Sequence, residues 1–226
     1  MNIKKDSLAF LKKVEKNNNR DWFNANKDEY LECHGNLIDF ADALLVEMNK
    51  HDNIANPNGK KSLHRIYRDT RFSKDKTPYK TNWSGGYKRE TALLRGGYYF
   101  HINANSAFIA GGFWGPNSSD IKRIREEIDL NAEAFKKIFE SKKFKSFFGE
   151  LAGESLKTAP KGYQIDHPEI ELLRRKQFLV SKEFKKDEVL SKDFVSKANE
   201  TFKAMRPFFD LMSETLTTNS NGELIV

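Results

Sequence analysis

The sequence has one cysteine and no long apolar run, and each shortage excludes a class of protein. Among its 226 residues, Cys33 is the single cysteine, which excludes a framework of internal disulfide bonds and a zinc site built on paired cysteines. No stretch approaches the roughly 18 apolar residues that a membrane-spanning helix needs. The start, Met1 to Ser7, lacks the apolar segment of a signal peptide. We therefore expect a cytoplasmic protein with no membrane partner.

Several enzyme signatures are missing as well. The chain has no Gly-Lys-Ser/Thr phosphate loop, no Gly-x-Gly-x-x-Gly and no Gly-x-Ser-x-Gly, which disfavours P-loop, Rossmann and α/β-hydrolase enzymes. His101, His167 and Asp69 are conceivable metal ligands, but they have no local ligand spacing. The sequence therefore predicts neither a metal site nor a cofactor.

What the sequence has in excess is positive charge within one segment. The chain holds 39 Lys and Arg against 32 Asp and Glu, a net charge of +7. Residues 60–95 alone hold 11 basic and 3 acidic residues, a net charge of +8, so the rest of the chain sums to −1. An excess confined to one segment predicts a single anion-facing surface. The alternative interpretation is that these charges only solvate the ends of strands and turns.

Hydrophobic periodicity predicts helices at both ends of the chain and strands between them. Apolar residues recur at three- and four-residue steps up to His51 and again after Pro116. The C-terminal block should contain helices capped by Ser118 or Ser119 and by Asn131, and a last helix that Pro207 kinks or splits.

In the middle of the chain the period changes to two. Alternation predicts strands over 65–72, near 79–83, within 87–94, over 98–102 and over 107–114, with a hairpin turn at 103–106. No βαβ alternation is present, so we expect an α+β fold with one mainly antiparallel sheet, covering about 65–114 plus a short strand near 177–181, flanked by N-terminal and C-terminal helices. One domain over 1–219 and a flexible tail over 220–226 are expected.

The segment 65–79 has unusual chemistry, since three arginines lie close to one carboxylate. In a strand, Arg65, Asp69 and Arg71 share a face, and both guanidinium groups can reach Asp69. Two cations against one carboxylate leave donors for a phosphate or carboxylate ligand, which a bidentate guanidinium suits well. The alternative is an Arg–Asp network that only pins the turn.

The same segment resembles the pattern Arg-x-x-Arg-Asp-x-Arg-Phe-x-x-x-Lys-x-Pro-Tyr of a bacterial family known as domain of unknown function 2461. The matching positions are Arg65, Arg68, Asp69, Arg71, Phe72, Lys76, Pro78 and Tyr79. Further similar stretches are Asn18 to Phe23, Gly97 to His101, Gly112 to Pro116, Gly162-Tyr163 and Asp166 to Pro168. The resemblance implies a compact single domain and an important motif, and it implies nothing about a reaction.

His101 is a second candidate, on the strand that follows Gly97. It alternates onto the same face as Tyr99 and Asn103, and it would face the arginine motif if both strands belong to one sheet. Asp69 between arginines should have a depressed pKa, which suits a permanent charge, so His101 is the better base. A lone histidine on a strand is also often purely structural.

Three functions stay open on this sequence. The first is binding of an anionic small molecule, a nucleotide or a nucleic-acid backbone, with cations neutralising phosphate and aromatic rings stacking on bases. Its candidate residues are Arg65, Tyr67, Arg71, Lys76, Lys80 and Tyr99. The second is an enzyme for a phosphorylated or carboxylate substrate, in which His101 or Asp69 moves the proton. The third is a structural or interaction protein whose motif only specifies the fold, through Arg68, Asp69, Phe72, Pro78 and Tyr79.

Overall fold

The computed structural model describes residues 2–219 and 221–225. These residues form helices α1 (Lys5–Lys16), α2 (Arg20–Ala25), α3 (Lys27–Met48), α4 (Gly59–Ser62), α5 (Ser118–Phe139), α6 (Lys142–Phe148), α7 (Ile170–Leu173), α8 (Lys186–Val189) and α9 (Phe194–Thr217). The strands are β1 (Trp83–Lys88), β2 (Gly97–Ile102), β3 (Ser106–Phe113) and β4 (Phe178–Lys185). They form one antiparallel sheet in the order β1-β2-β3-β4.

The predicted α+β class and antiparallel sheet are confirmed. The hairpin between β2 and β3 lies where it was expected, and the Asn103 side chain accepts hydrogen bonds from the backbone N–H groups of Asn105 and Ser106, both at 2.8 Å. β4 covers the extended run expected near 177–181. Among the described residues, no helix combines the length and the apolar character needed to cross a bilayer.

The strand predicted over 65–72 is wrong. This segment pairs with 78–80 through one isolated bridge, between Tyr67 and Tyr79, flanked by hydrogen bonds from Arg68 N–H to the Pro78 carbonyl (2.9 Å) and from Lys80 N–H to the Ile66 carbonyl (2.8 Å). The ladder stops there because Pro78 has no N–H to donate and the residues before it form a side-chain-closed turn. We call residues 65–80 the arm.

Two other strand boundaries also differ from the expectation. The sheet begins at Trp83, and β1 ends at Lys88, so the stretch from Glu90 to Leu94 is a connection and not a strand. The connection leads into β2 through Gly96 at φ +91°, a left-handed conformation that favours glycine.

The helical expectations hold with local changes. α5 is capped by Asn117, not by Ser118 or Ser119, and the Asn117 side chain accepts from the N–H groups of Ser119 and Asp120. Asn131, an expected cap, has non-helical angles (φ −146°, ψ 55°) inside α5. α9 continues through Pro207 without splitting, since Phe208 and Phe209 directly after it are fully buried and hold the helix in place.

The Cα positions divide the chain into two compact units. The first comprises the described residues up to Lys88, Tyr99–Ile109 and Glu183–Glu200; the second comprises Arg89–Tyr98, Ala110–Lys182 and the described residues from Thr201 onward. One domain over 1–219 therefore stays a prediction. Of the tail expected over 220–226, Ser220 and Val226 lie outside the described residues, while Leu224 forms an antiparallel bridge with Thr218.

The core of the first unit lies against one face of its part of the sheet. Phe40 of α3 contacts Phe100 of β2, with ring centroids 5.6 Å apart, and Tyr87 O–H donates to the Ala41 carbonyl at 2.8 Å. A Cβ on Gly85 would lie 2.5 Å from the Phe100 ring, so the close approach at β1 requires glycine. The opposite face of β2 and β3 carries Tyr99, His101 and Phe108, and the candidate site is built there.

The second unit is packed around phenylalanines and one buried arginine. Phe113 contacts both Phe208 and Phe209 edge to face. Arg89, 1 % exposed, donates to Asp210 Oδ1 at 2.8 Å and to the Arg95 carbonyl at 3.0 Å. This arginine belongs to the interior of its unit.

Candidate functional site

The arm is anchored to the turn between α1 and α2. The Asn18 side chain donates from Nδ2 to the Tyr79 carbonyl (2.9 Å) and accepts at Oδ1 from the Tyr79 N–H (3.0 Å). Phe23 of α2 stacks on the Tyr79 ring at 3.9 Å with an interplanar angle of 13°. Asn19 caps α2 by accepting from Trp22 N–H. Neighbouring asparagines thus hold the arm and begin the helix that packs against it.

Two ion pairs close the distal half of the arm. Arg71 donates from Nε to Asp69 Oδ1 (3.0 Å) and from Nη2 to Asp69 Oδ2 (2.7 Å), and these bonds hold the pKa of Asp69 below its usual value. Arg68 binds Asp75 and Thr77 Oγ1. The Thr77 N–H, followed by Arg68, lowers the pKa of Asp75 to about 2. Both carboxylates are therefore ionised at neutral pH and already partnered.

The base of the arm is different, because its two cations form no ion pair with any residue that the structure describes. In the part of the chain that the structure describes, the side chains of Arg65 and Lys80 make no hydrogen bond and no ion pair. Lys80 is half-buried. Burial, together with the nearby charge of Arg65, lowers the pKa of Lys80. Among the described residues, the side chain that hydrogen-bonds to Asp69 is that of Arg71. Arg65 adds only a smaller electrostatic effect on the pKa of Asp69. The expectation that both arginines clamp Asp69 is therefore replaced by one closed pair and one arginine without an ion pair to any described residue.

Two histidines lie beside this cationic base. Burial, and then the charge of Lys80, lower the pKa of His64 and of His101. His101 Nδ1 and Tyr99 Oη are hydrogen-bonded at 3.1 Å, and the His64 ring centroid lies 5.9 Å from that of Tyr99. We call His64, Arg65, Lys80, Tyr99 and His101 the sheet-face cluster. Its imidazoles are neutral at pH 7, and each then offers one donor and one acceptor.

The floor of the cluster is supplied by β3 and by the residue before β1. Phe108 stacks on His101 at 4.8 Å with an interplanar angle of 11°. Asn82 Nδ2 lies 3.2 Å from both ring nitrogens of His101, while Asn82 Oδ1 is buried with no partner among the described residues. His101 is thus stacked on Phe108 and lies within hydrogen-bond distance of Tyr99 and Asn82 on the open face of the sheet.

A cleft runs along the arm beyond this cluster. It has a volume of about 320 Å³ and is lined by Arg20, Asn24, Tyr67, Arg68, Thr70, Pro78 and Tyr79. We call it the arm cleft. The Tyr67 side chain, 52 % exposed, forms an open aromatic wall whose ring lies 5.5 Å from the Tyr79 ring.

The tip of the arm presents Phe72 to solvent. Its side chain is 97 % exposed, so it takes no part in a core. The Arg71 guanidinium lies 5.9 Å from the centroid of its ring, and Lys76 Nζ donates to the Thr70 carbonyl at 2.9 Å. The tip therefore presents one exposed aromatic ring among cationic side chains.

The structure divides the predicted site residues into two sets. Lys80, Tyr99 and His101 lie together at the sheet face, and Arg65 lies close to Lys80. Arg71, Lys76 and Asp69 form contacts within the arm. Sequence reasoning missed His64, although its place directly before Arg65 in the basic segment was a usable signal.

The charge excess of residues 60–95 is not a single surface. Arg89 and Arg95 pair with Asp210 and Asp120, at 2.8 and 2.5 Å, far along the chain. Both arginines belong to the second unit and are paired within it. Among the described residues, no three His, Cys, Asp or Glu side chains are grouped as metal ligands are.

Comparison with known families identifies the family of this chain. The model of the family described as "Conserved hypothetical protein (DUF2461)" matches residues 6–211, so the chain belongs to this family, and the family expected from the sequence is confirmed. Comparison with curated proteins and with solved structures gives no match. The family brings no activity with it, and any proposal depends on the geometry.

Proposed function

We propose that this member of the DUF2461 family binds a phosphate-bearing ligand at the sheet-face cluster. The observation that carries the proposal is that Arg65 and Lys80 lie close together while neither forms an ion pair among the described residues, although Lys80 is half-buried. Two like charges brought together, one of them partly desolvated, are unfavourable. A bound anion would remove that cost.

The donor set of the cluster favours phosphate over carboxylate. A guanidinium offers a bidentate fork, an ammonium offers three donors, and neutral imidazoles add further N–H groups. Arg65, Lys80 and the two histidines together present more donors than the two oxygens of a carboxylate accept. A phosphoryl group with three terminal oxygens uses them better.

The first test measures binding of inorganic phosphate and of a nucleoside monophosphate by calorimetry. Arg65→Ala and Lys80→Ala should each weaken binding at least tenfold, since each removes a charge-assisted contact worth about 1.4 kcal/mol or more. Lys61→Ala, which removes an exposed cation of α4 outside the cluster, should change the affinity by less than twofold. Arg65→Ala should melt no lower than the parent, because it relieves cation crowding. Equal phosphate affinity in the parent and in both cluster variants would refute the proposal.

A second candidate function is hydrolysis of a phosphate ester at the same cluster. The observation that favours it is the hydrogen bond between His101 and Tyr99, together with the lowered pKa of His101, because a neutral imidazole at pH 7 can accept a proton from an attacking water. In the same preparations, phosphate release from p-nitrophenyl phosphate that His101→Gln abolishes while phosphate still binds would favour the enzyme. Binding without turnover leaves the first candidate.

A further inference from the structure

We infer that the arm extends the sheet-face cluster into a track for single-stranded nucleic acid. This inference rests on the proposed function and names its ligand class. It follows from three features that lie along residues 65–80: an unpaired cationic base, a cleft with an aromatic wall, and an exposed aromatic tip.

The length of the arm sets the size of the ligand. Its base is at Arg65, directly before the paired segment 66–68, and at Lys80, the last residue of the paired segment 78–80. Its tip is at Phe72. The seven residue steps from Arg65 to Phe72 span at most about 25 Å when fully extended, and the turn at Arg71 and Phe72 shortens this distance to about 20 Å. A mononucleotide is too short to contact both ends, whereas a strand with one phosphate for every 3.4 Å or more covers the distance with about four to six nucleotides.

The exposed rings provide stacking surfaces for bases. Phe72 and Tyr67 are 97 % and 52 % exposed, and a base has an apolar face that either ring can cover. Stacking on aromatic side chains is largely independent of base identity. The arm cleft, about 320 Å³ and lined by Tyr67, Arg68 and Arg20, lies between the base and the tip.

The charge of the arm matches a polyanion. Its cations are Arg65, Arg68, Arg71, Lys74, Lys76 and Lys80, against Asp69 and Asp75, a net charge of +4. Arg68 and Arg71 are held by the two carboxylates, so the surplus is on Arg65 and the three lysines, spread from base to tip. A spread of single positive charges interleaved with rings is the pattern of single-strand binding surfaces. A membrane is less well matched, since the tip carries one large apolar side chain among charged and polar ones.

The experiment uses fluorescence anisotropy with labelled oligothymidylates of increasing length. Affinity should rise up to about four to six nucleotides and then level off. Phe72→Ala should weaken binding of a hexamer at least fivefold, Phe72→Trp should restore it, and neither should alter phosphate affinity or the melting temperature. Leu130→Ala, which removes an exposed apolar side chain of α5, is the matched control and should have no effect.

The salt dependence of the affinity separates the contribution of phosphate contacts from that of base stacking. Arg65→Ala should reduce the slope of log affinity against log salt by about 0.7, the value for one phosphate contact on a single strand, whereas Phe72→Ala should leave the slope unchanged. The expected length dependence, Phe72 effect and salt slopes would together support a track for single-stranded nucleic acid along the arm.

The other outcomes contradict either the track alone or the track together with the proposed function. If phosphate binds through Arg65 and Lys80 while hexamer and mononucleotide bind equally and Phe72→Ala has no effect, the track is wrong and the proposed function stands. If neither phosphate nor any oligonucleotide binds, both fall. Tighter binding to a duplex of the same length, or binding to phosphatidylserine vesicles without oligonucleotide binding, would assign the arm to another partner and overturn the inference.

Discussion

At the scale of single residues, the motif is divided by the position of two carboxylates. Asp69 lies two residues before Arg71 and closes a bidentate pair with it inside a turn, which leaves Arg65 open. On an alternating strand Arg65 and Arg71 share one face, so the sequence assigned both of them the same candidate role. The sequence placed Arg68 among the structural residues, and the structure pairs it with Asp75 and Thr77. Turn geometry, and not the spacing of the residues in the sequence, thus decides which arginine is left without an ion pair among the described residues.

The histidines of the cluster predict a pH dependence of stability. The pKa values of His64 and His101 are lowered by burial and by Lys80. As the pH falls through the unfolded value of about 6.5, the unfolded chain binds protons before the folded chain does, so the free energy of unfolding decreases. The decrease ends once the pH is below both folded pKa values.

Denaturant titrations between pH 8 and pH 5 measure this effect. His64→Gln with His101→Gln should flatten the profile but not level it, because burial also lowers the pKa of His34. Added phosphate should stabilise the parent more at pH 6 than at pH 8, since a bound anion favours the protonated imidazoles. Identical profiles for the parent and the double variant would contradict the prediction.

At the scale of elements, hydrophobic periodicity predicted helices and strands correctly where the element buries one regular face. α3 and the β2–β3 hairpin lie where periodicity places them, because each buries one regular face. The arm shows the same period of two, but Pro78 and the turn closed by Asp75 end its ladder after one bridge. The alternation of 65–72 therefore describes an extended segment held by side chains and not a strand of the sheet.

Since side chains hold the arm, one asparagine should control its order. Asn18→Ala leaves the N–H and the carbonyl of Tyr79 without their partners, which should cost about 1–3 kcal/mol of stability. It should also speed amide exchange at Arg68 and Lys80, whose N–H groups bond across the arm.

Asn17→Ala is the matched control, as the one hydrogen bond of the Asn17 side chain within the described residues goes to the Lys13 carbonyl at the surface. It should change stability by no more than about 0.5 kcal/mol. Denaturant unfolding and hydrogen exchange measure the two variants. Equal exchange rates in the arms of both would show that other contacts hold it.

At the scale of the whole molecule, the net charge alone located only part of the site. The basic segment 60–95 contains Arg65 and Lys80, yet Arg89 and Arg95 within it are neutralised by Asp210 and Asp120. His101 joins the cluster because β1 and β2 are neighbours in the sheet, a long-range pairing that no local pattern reports. Local chemistry thus predicted Arg65 and Lys80 as candidate residues, and the strand order brings His101 into the candidate cluster.

The division into two units leads to a last prediction, about cooperativity. Its boundaries fall inside continuous elements, at Tyr98/Tyr99 in β2, Ile109/Ala110 in β3, Lys182/Glu183 in β4 and Glu200/Thr201 in α9. A unit isolated from the chain would keep only fragments of these elements, and fragments of strands lose their ladder bonds. We expect a single unfolding transition, with the same midpoint by far-ultraviolet circular dichroism and by the fluorescence of the buried Trp83. Two separate transitions, or a protease-resistant folded fragment of either unit, would show instead that the units fold independently.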